Sequence, residues 1–197
     1  MARSPSLKLR LYLAGPEVFR PDVDEEGRRL LAICEAAGAE GLFPAEFAGG
    51  DIRRNCIGMI EQADALIANI SPFRGSHMDP GTAFEIGYAE ALGKPAFLWS
   101  DDSRPLDERI PISADGRDSE GMRVETFGKP ENLMIVPDGI TVWRRPEEAV
   151  AAAMAALEHT RKNRALQRST RRAVLIAAVV SLAVAFASGM LFDFLVG

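Results

Sequence analysis

The sequence predicts an α/β domain built on a parallel sheet, followed by a C-terminal transmembrane helix. Three observations lead there. Over the first three quarters of the chain, short apolar runs alternate with longer segments of helical periodicity, as a parallel sheet covered on both faces requires. Gly and Pro punctuate the joints between them. From Ala173 to Phe192 the chain carries no charged residue, and twenty helical residues rise about 30 Å, the thickness of a bilayer's hydrocarbon core.

The elements follow in order. Leu9–Ala14 reads as a strand ended by the Gly15-Pro16 turn. Glu25–Ala37 sets Leu30, Leu31 and Cys34 on one helical face and stops at Gly38. Gly41–Phe43 is a short strand that completes a βαβ unit. Asp51 is placed to cap a helix in which Ile52, Cys56, Met59, Ile60 and Ala63 recur at helical spacing. Ala65–Ile70 is the next strand, Ser71–Pro80 a loop, and Thr82–Leu92 a helix stopped by Gly93 and Pro95. Ala96–Trp99 is a strand. Residues 100–131 are polar and rich in Gly, Pro and charge, a long loop of the kind that often carries function. Leu133–Val136 and Ile140–Trp143 are short strands, and Pro146–Arg164 is a helix.

These elements make a flavodoxin- or Rossmann-like three-layer domain over 1–158, a basic segment over 159–172 and a membrane span over 173–194. In such sheets the ligand crevice lies beyond the carboxyl ends of the strands, so the loops starting at Gly15, Ser71 and Ser100 are expected to line it.

Composition narrows the function classes. With 197 residues, 47% hydrophobic and 26% charged, the chain is an ordinary globular protein with a short appendage, not a collagen-like, disordered or disulfide-scaffold sequence. Cys34 and Cys56 are too few for a disulfide framework. His77 and His159 lie far apart, and no Cys/His cluster has zinc spacing. No apolar stretch near Met1 reads as a secretory signal. Residues 1–158 carry 17 Lys and Arg against 27 Asp and Glu, and so acidic a body repels a phosphate backbone, which argues against nucleic-acid binding. Residues 159–172 hold six basic residues and no acidic one. A basic flank beside an apolar run marks the cytoplasmic side, so a single-pass, tail-anchored protein with its main domain in the cytoplasm is expected, with the bilayer as a partner.

The densest chemical signal lies between Ser71 and Pro95, SPFRGSHMDPGTAFEIGYAEALGKP. Gly81 permits a tight turn. Thr82 followed three residues later by Glu85 makes a capping box, the plainer reading of Glu85. The same placement suits a nucleophile, because free N–H groups and the helix dipole favour an ionised carboxylate in a first turn.

Four pieces, LYLAGPEVF, ADALIANISPFRG, DPGTAFEIGYA and NLM at 132–134, together resemble the nucleoside 2-deoxyribosyltransferases over most of residues 9–143. The resemblance implies that Glu85 attacks C1′ of a 2′-deoxyribonucleoside and holds the sugar as an ester. A second base, or water, then takes the sugar with overall retention. Tyr12 matches the tyrosine that orients the nucleophile; its plainer role is a strand aromatic filling the core. Asp79 matches the carboxylate that binds sugar hydroxyls, and otherwise reads as an Asp-Pro turn residue. Gly15, Pro16 and Phe19 are expected to shape the base pocket. Asn132 is expected to reach a neighbouring subunit's sugar site and Met134 to pack near the base; the alternative is a loop-to-strand junction with Leu133 and Met134 buried. Arg74 belongs to a PFRG loop found in one branch of the family, or is a solvated loop charge. The implied partners are a deoxyribonucleoside, a free nucleobase and further copies of the chain that share active sites. No cofactor or metal is implied.

One position departs from the family pattern. Many members carry an aspartate eight residues before the equivalent of Asp64, where it handles the base's protons. Here that residue is Cys56, with Asn55 beside it, and an amide can hydrogen-bond a base edge but cannot protonate a leaving group. Other functions fit less well. A 2′-deoxynucleoside 5′-phosphate N-hydrolase would bring a phosphate against Asp79. A cytokinin-type phosphoribohydrolase carries a G-G-x-G-T-x-x-E pattern, and the missing first Gly pair and the Asp79-Pro80 step argue against it. A membrane-tethered nucleotide-binding sensor would have no use for the nucleophile.

Overall fold

The computed structural model describes residues 8–44 and 51–196, with side chains at 8–44, 51–179 and 181. The strands β1 (Arg10–Ala14), β2 (Glu40–Leu42), β3 (Ala65–Asn69), β4 (Ala96–Trp99) and β5 (Val142–Trp143) form one sheet in the order β2-β1-β3-β4-β5. Every pairing is parallel. This is the flavodoxin-like order, in which the direction of strand addition reverses between β1 and β3 and opens a crevice above their carboxyl ends. The helices are α1 (Val23–Ala36), α2 (Ile52–Gln62), α3 (Pro80–Ala91), α4 (Leu106–Arg109) and α5 (Pro146–Val196).

The central strands are apolar along their whole length because both their faces are covered. All of β3 is buried, as is β1 from Leu11 to Ala14, and Tyr12 stands opposite Leu66 in the register. Asp51 caps α2 as expected, its Oδ1 accepting from Arg54 N at 3.0 Å.

Three expectations change. Leu133–Val136 is not a strand: the N–H groups of Ile135 and Val136 both donate to Asn132 O, at 2.8 and 2.9 Å, which winds a helical turn. Pro137 follows and cannot donate to a ladder. The apolar run there anchors a loop, with Val136 buried in the core. The last strand shrinks to Val142–Trp143. Within residues 100–131 lies the short helix α4, which periodicity did not reveal.

The chain divides into two compact units, residues 1–155 and 156–197. In the first, α5 contributes the buried side chains Ala149, Val150 and Ala153. In the second, α5 continues as helix, and residues 158–179 are exposed. Among the described residues no helix is long and apolar enough to cross a membrane. The transmembrane helix expected over 173–194 therefore finds no support there, and the side chains at 180 and 182–196 lie outside the described residues.

Because the last side chain that α5 buries in the first unit is Ala153, a chain shortened to residues 1–158 should keep a cooperative thermal transition. Its midpoint should lie within about 3 °C of the full chain's, since ~1 kcal/mol shifts a domain of this size by 2–4 °C. Shortening to 1–145 removes three core side chains and should lower the midpoint by more than ~10 °C, read by far-UV circular dichroism.

Candidate active site

Tyr12 sits on β1, wholly buried, and its ring belongs to the main core cluster with Leu66, Ile86 and Val136. A buried phenol needs a partner for its hydroxyl. Tyr12 Oη donates to Glu85 Oε1 at 2.6 Å, across 73 residues of chain. Both readings of Tyr12 hold at once: the ring is core and the hydroxyl holds a carboxylate.

Glu85 is not a capping residue. α3 begins at Pro80, and its N-cap is Asp79, whose Oδ2 accepts from Thr82 N at 2.8 Å and from Thr82 Oγ1 at 3.1 Å. Thr82 therefore lies inside the helix, and Glu85 one turn further in, beyond the reach of the orphan N–H groups. The expected consequence reverses as well. Burial pushes the Glu85 carboxyl up to about 7, against the lowering effect of the Tyr12 hydrogen bond and with a further push from the Asp79 charge. Burial, then the Glu85 charge, drives the Tyr12 hydroxyl far above its ordinary value, so it remains a donor.

Asp79 is thus buried, close enough for its charge to act on Glu85, and committed through one oxygen to the start of α3. Gly81 lies in the first turn of α3, where an added Cβ would fall 2.9 Å from Asp79 Oδ2 and crowd the cap. From α2, Cys56 comes close to the same pair, and burial raises its thiol pKa. Asn55 beside it is exposed and, with Cys56, Phe43 and Met59, lines a cavity of about 620 Å³. α2 is held against α3 by Tyr88 Oη, which donates to Glu61 Oε1 at 2.8 Å.

A second group ties together the crevice loops, and sequence reading missed it. Glu17, in the short 3-10 turn Pro16–Phe19, is buried and accepts from Asn69 Nδ2 at 2.5 Å. Asn69 Oδ1 accepts from Ser71 N at 2.9 Å and Ser71 Oγ at 2.5 Å, and Ser71 Oγ accepts from Asp101 N at 3.1 Å. The loops after β1, β3 and β4 are joined by one chain of hydrogen bonds. Burial raises the Glu17 carboxyl, opposed by the Asn69 bond. Gly15 permits the close approach: a Cβ there would meet Glu17 Oε2 at 1.9 Å and Asn69 Cβ at 2.9 Å. The polar Asn69 ending an otherwise apolar strand was the signal available in the sequence.

Phe19, the end of that turn, stacks on Phe73 with ring centroids 5.2 Å apart, and Arg74 lies over both rings. The structure thus brings Phe19 and Arg74 together and adds Phe73. Asn132 and Met134 lie in the turn that replaces the expected strand. Asn132 Nδ2 donates to Glu125 Oε1 at 2.7 Å and its Oδ1 accepts from Met134 N at 2.9 Å, while Met134 is 83% exposed rather than buried. Glu131, also missed, is buried and accepts from Met78 N at 2.8 Å, from Asn132 N at 3.0 Å, and pairs with His77 Nδ1 at 2.8 Å. It fastens this turn to the residue before Asp79.

Among the described residues no three His, Cys, Asp or Glu side chains converge to hold a metal ion. The arrangement instead offers one half-buried, hydrogen-bonded carboxylate at the carboxyl edge of the sheet, with a second, buried carboxylate close by.

Comparison with known proteins gives the same direction. A family profile described as nucleoside 2-deoxyribosyltransferase matches residues 11–134. A solved 2-desoxiribosyltransferase from Leishmania mexicana is 39% identical, with a TM-score of 0.67 over 75% of this chain and 97% of that one. An uncharacterized protein of Schizosaccharomyces pombe is 36% identical over 116 residues, 51% of this chain; the chain spans about half, 54%, of that relative's length. The matched stretch holds Tyr12, Asp79, Glu85 and Asn132, and the chain belongs to the nucleoside 2-deoxyribosyltransferase family.

Proposed function

We propose that the chain transfers 2-deoxyribose between nucleobases, in nucleoside salvage, through an ester on Glu85. The observation that carries this reading is the Tyr12–Glu85 hydrogen bond, 2.6 Å long, between a buried phenol and a half-buried carboxylate at the crevice between β1 and β3. In the first step Glu85 Oε attacks C1′, the C1′–N bond breaks with its electron pair going to the base, and the ester forms. In the second, an incoming base attacks the opposite face of C1′ and frees the carboxylate, so the anomeric configuration is retained overall. Tyr12 fixes which carboxylate oxygen is held and leaves the other to react. Asp79 gives Oδ2 to the cap, so Oδ1 is the oxygen available to accept from a sugar hydroxyl. Cys56 stands where a base-handling carboxylate is usual, and burial keeps its thiol protonated. Asn55 is then the polar group on α2 left to meet a base edge.

The exposed Met134 and the Asn132 beside it support a site completed by a second copy of the chain. The uncharged run 173–192 behind six basic residues supports tail-anchoring with the body in the cytoplasm. Carbonate extraction of membranes from cells expressing the full chain should then leave it in the pellet, and release of the full chain into the supernatant would refute the anchor.

Glu85→Ala should remove base exchange by at least ~10³-fold while the fold persists. Intact-mass measurement of the wild type with deoxyinosine should show one added deoxyribosyl group, absent from the variant; an adduct on Glu85→Ala would place the nucleophile elsewhere. Sugar released to water in the presence of excess base would mark the hydrolytic branch instead. Because the Glu85 carboxyl lies at about 7, log kcat/KM should rise with unit slope below that pH and level off above it. Tyr12→Phe removes the bond that lowers this carboxyl, so the limb should move to higher pH and kcat/KM fall roughly 10- to 100-fold.

Stability should run the other way. The folded carboxyl, at about 7 rather than 4.5, binds its proton more tightly than the unfolded one. The wild type therefore loses stability as pH rises from 4.5 through 7, and the loss is complete above that. Glu85→Gln, which cannot ionise, should match the wild type near pH 4 and exceed it by up to ~3 kcal/mol at pH 8 in urea unfolding.

A further inference from the structure

The loop that leaves β3 holds the one residue other than glycine, among the described residues, with a left-handed backbone: Arg74, at φ 51°. A side chain disfavours that conformation, and when such a residue persists the surroundings hold it there. Here the surroundings are two aromatic rings. The Arg74 guanidinium carbon lies 4.6 Å from the Phe73 centroid and 5.2 Å from that of Phe19, and the rings stack at an interplanar angle of 24°. Phe19 is 50% exposed, so the cluster opens to solvent at the carboxyl edge of β1 and β3. The neighbouring Arg20 is already engaged, donating to both oxygens of Asp22 at 2.8 and 2.7 Å. No carboxylate among the described residues pairs with Arg74.

An aromatic platform with a planar cation held beside it suits a flat, polar, neutral ring. The guanidinium has only donors, set in a rigid fork, so its complement is a pair of adjacent acceptors. Among nucleobase edges, O6 and N7 of a 6-oxopurine present such a pair on the side away from the sugar, whereas adenine sets an N6 donor beside N7, a 4-oxopyrimidine sets an N3 donor beside O4, and cytosine offers N3 and O2 only on the side next to its glycosidic bond. The same two atoms share the negative charge that the departing base takes on as the C1′–N9 bond breaks, and the guanidinium stabilises that charge without giving up a proton.

Resting on the deoxyribosyl-transfer reading above, we propose that Arg74, presented by Phe19 and Phe73, is the specificity-determining residue of the base subsite, and that it selects 6-oxopurine nucleosides. The test is a competition. Full-length protein is incubated with equimolar deoxyinosine and deoxyadenosine, with guanine as acceptor, and the initial loss of each is followed chromatographically. The ratio of the two rates is the ratio of kcat/KM, whichever acceptor takes the sugar. Wild type should consume deoxyinosine at least tenfold faster, the discrimination of one good bidentate pair. Arg74→Ala should bring the ratio close to one. Arg74→Gln places a donor and an acceptor side by side, matches N7 and N6 of adenine, and should reverse the preference.

A wild type without preference, or an unchanged ratio in both variants, overturns the assignment. Should Arg74→Gln fail to fold, the ratio in Arg74→Ala decides alone. A wild type that cleaves no nucleoside of any base would instead remove the proposed function, which separates the two failures.

Discussion

A carboxylate that is to attack carbon must be buried enough to be poorly solvated, yet it must still ionise near neutral pH. The hydrogen bond from Tyr12 to Glu85 meets both demands. Burial alone drives a carboxyl upward by disfavouring its charge. The phenol, itself too deeply buried to ionise, returns part of that stabilisation to the anion. The result is a group poised at about 7, where modest changes in its surroundings decide whether it is charged. The rest of the architecture serves the placement of those two side chains. β1 carries Tyr12 through the core, and the βα crossover after β3 returns α3 over the sheet so that Glu85 meets it. The reversal of strand order between β1 and β3 leaves the space above them open.

Holding α3 in register is a separate requirement, and Asp79 meets it at some electrostatic cost. Its cap fixes the first turn of the helix, while its charge pushes the Glu85 carboxyl further up. A Thr or Ser cap would satisfy the same N–H without the charge. That a carboxylate stands there fits a second use for its remaining oxygen in the crevice. The hydrogen-bond chain Glu17–Asn69–Ser71–Asp101 performs the corresponding task for the loops. It crosses from β1 to β4 through buried groups, where hydrogen bonds are stronger and a missing partner is costly. Rigid loops let an aromatic and a guanidinium be presented at a fixed height above the sheet.

The parts of this fold legible in the sequence were those written as patterns. The apolar runs of β1, β3 and β4 and the periodicity of α1 and α2 located the layers to within a few residues, and four short motifs pointed to Tyr12, Asp79 and Glu85. The start of α3 was misplaced because DPGT offers two capping residues three positions apart. Pro80 decided between them, since proline favours the first helical position and so puts the cap on Asp79. Leu133–Val136 misled for a different reason: four apolar residues fit a buried strand or a buried turn equally well, and the hydrogen bonds of Asn132 select the turn. Glu17 and Glu131 were invisible because a buried carboxylate is defined by partners far away in the chain. Nothing next to Glu17 announces Asn69, nor does anything near Glu131 announce Met78.

The distribution of charge in the crevice bears on what can enter it. Glu17 and Asp79 are buried and Glu85 half-buried on crevice segments, and Asp79 already perturbs Glu85. The Arg104 guanidinium is turned to Asp102, at 2.7 Å, and that of Arg20 to Asp22. Arg74 is left on the aromatic stack, at the rim rather than the floor. A dianionic 5′-phosphate on the floor would face these carboxylates in a low dielectric, and close like charges there repel by several kcal/mol. An uncharged sugar does not meet that repulsion, and its hydroxyls can donate to the carboxylates. The electrostatics of the floor and the donor at the rim therefore divide recognition between them. Under the proposed function, the floor takes a neutral, hydroxylated ring, and the rim reads the acceptor edge of the flat ring attached to it.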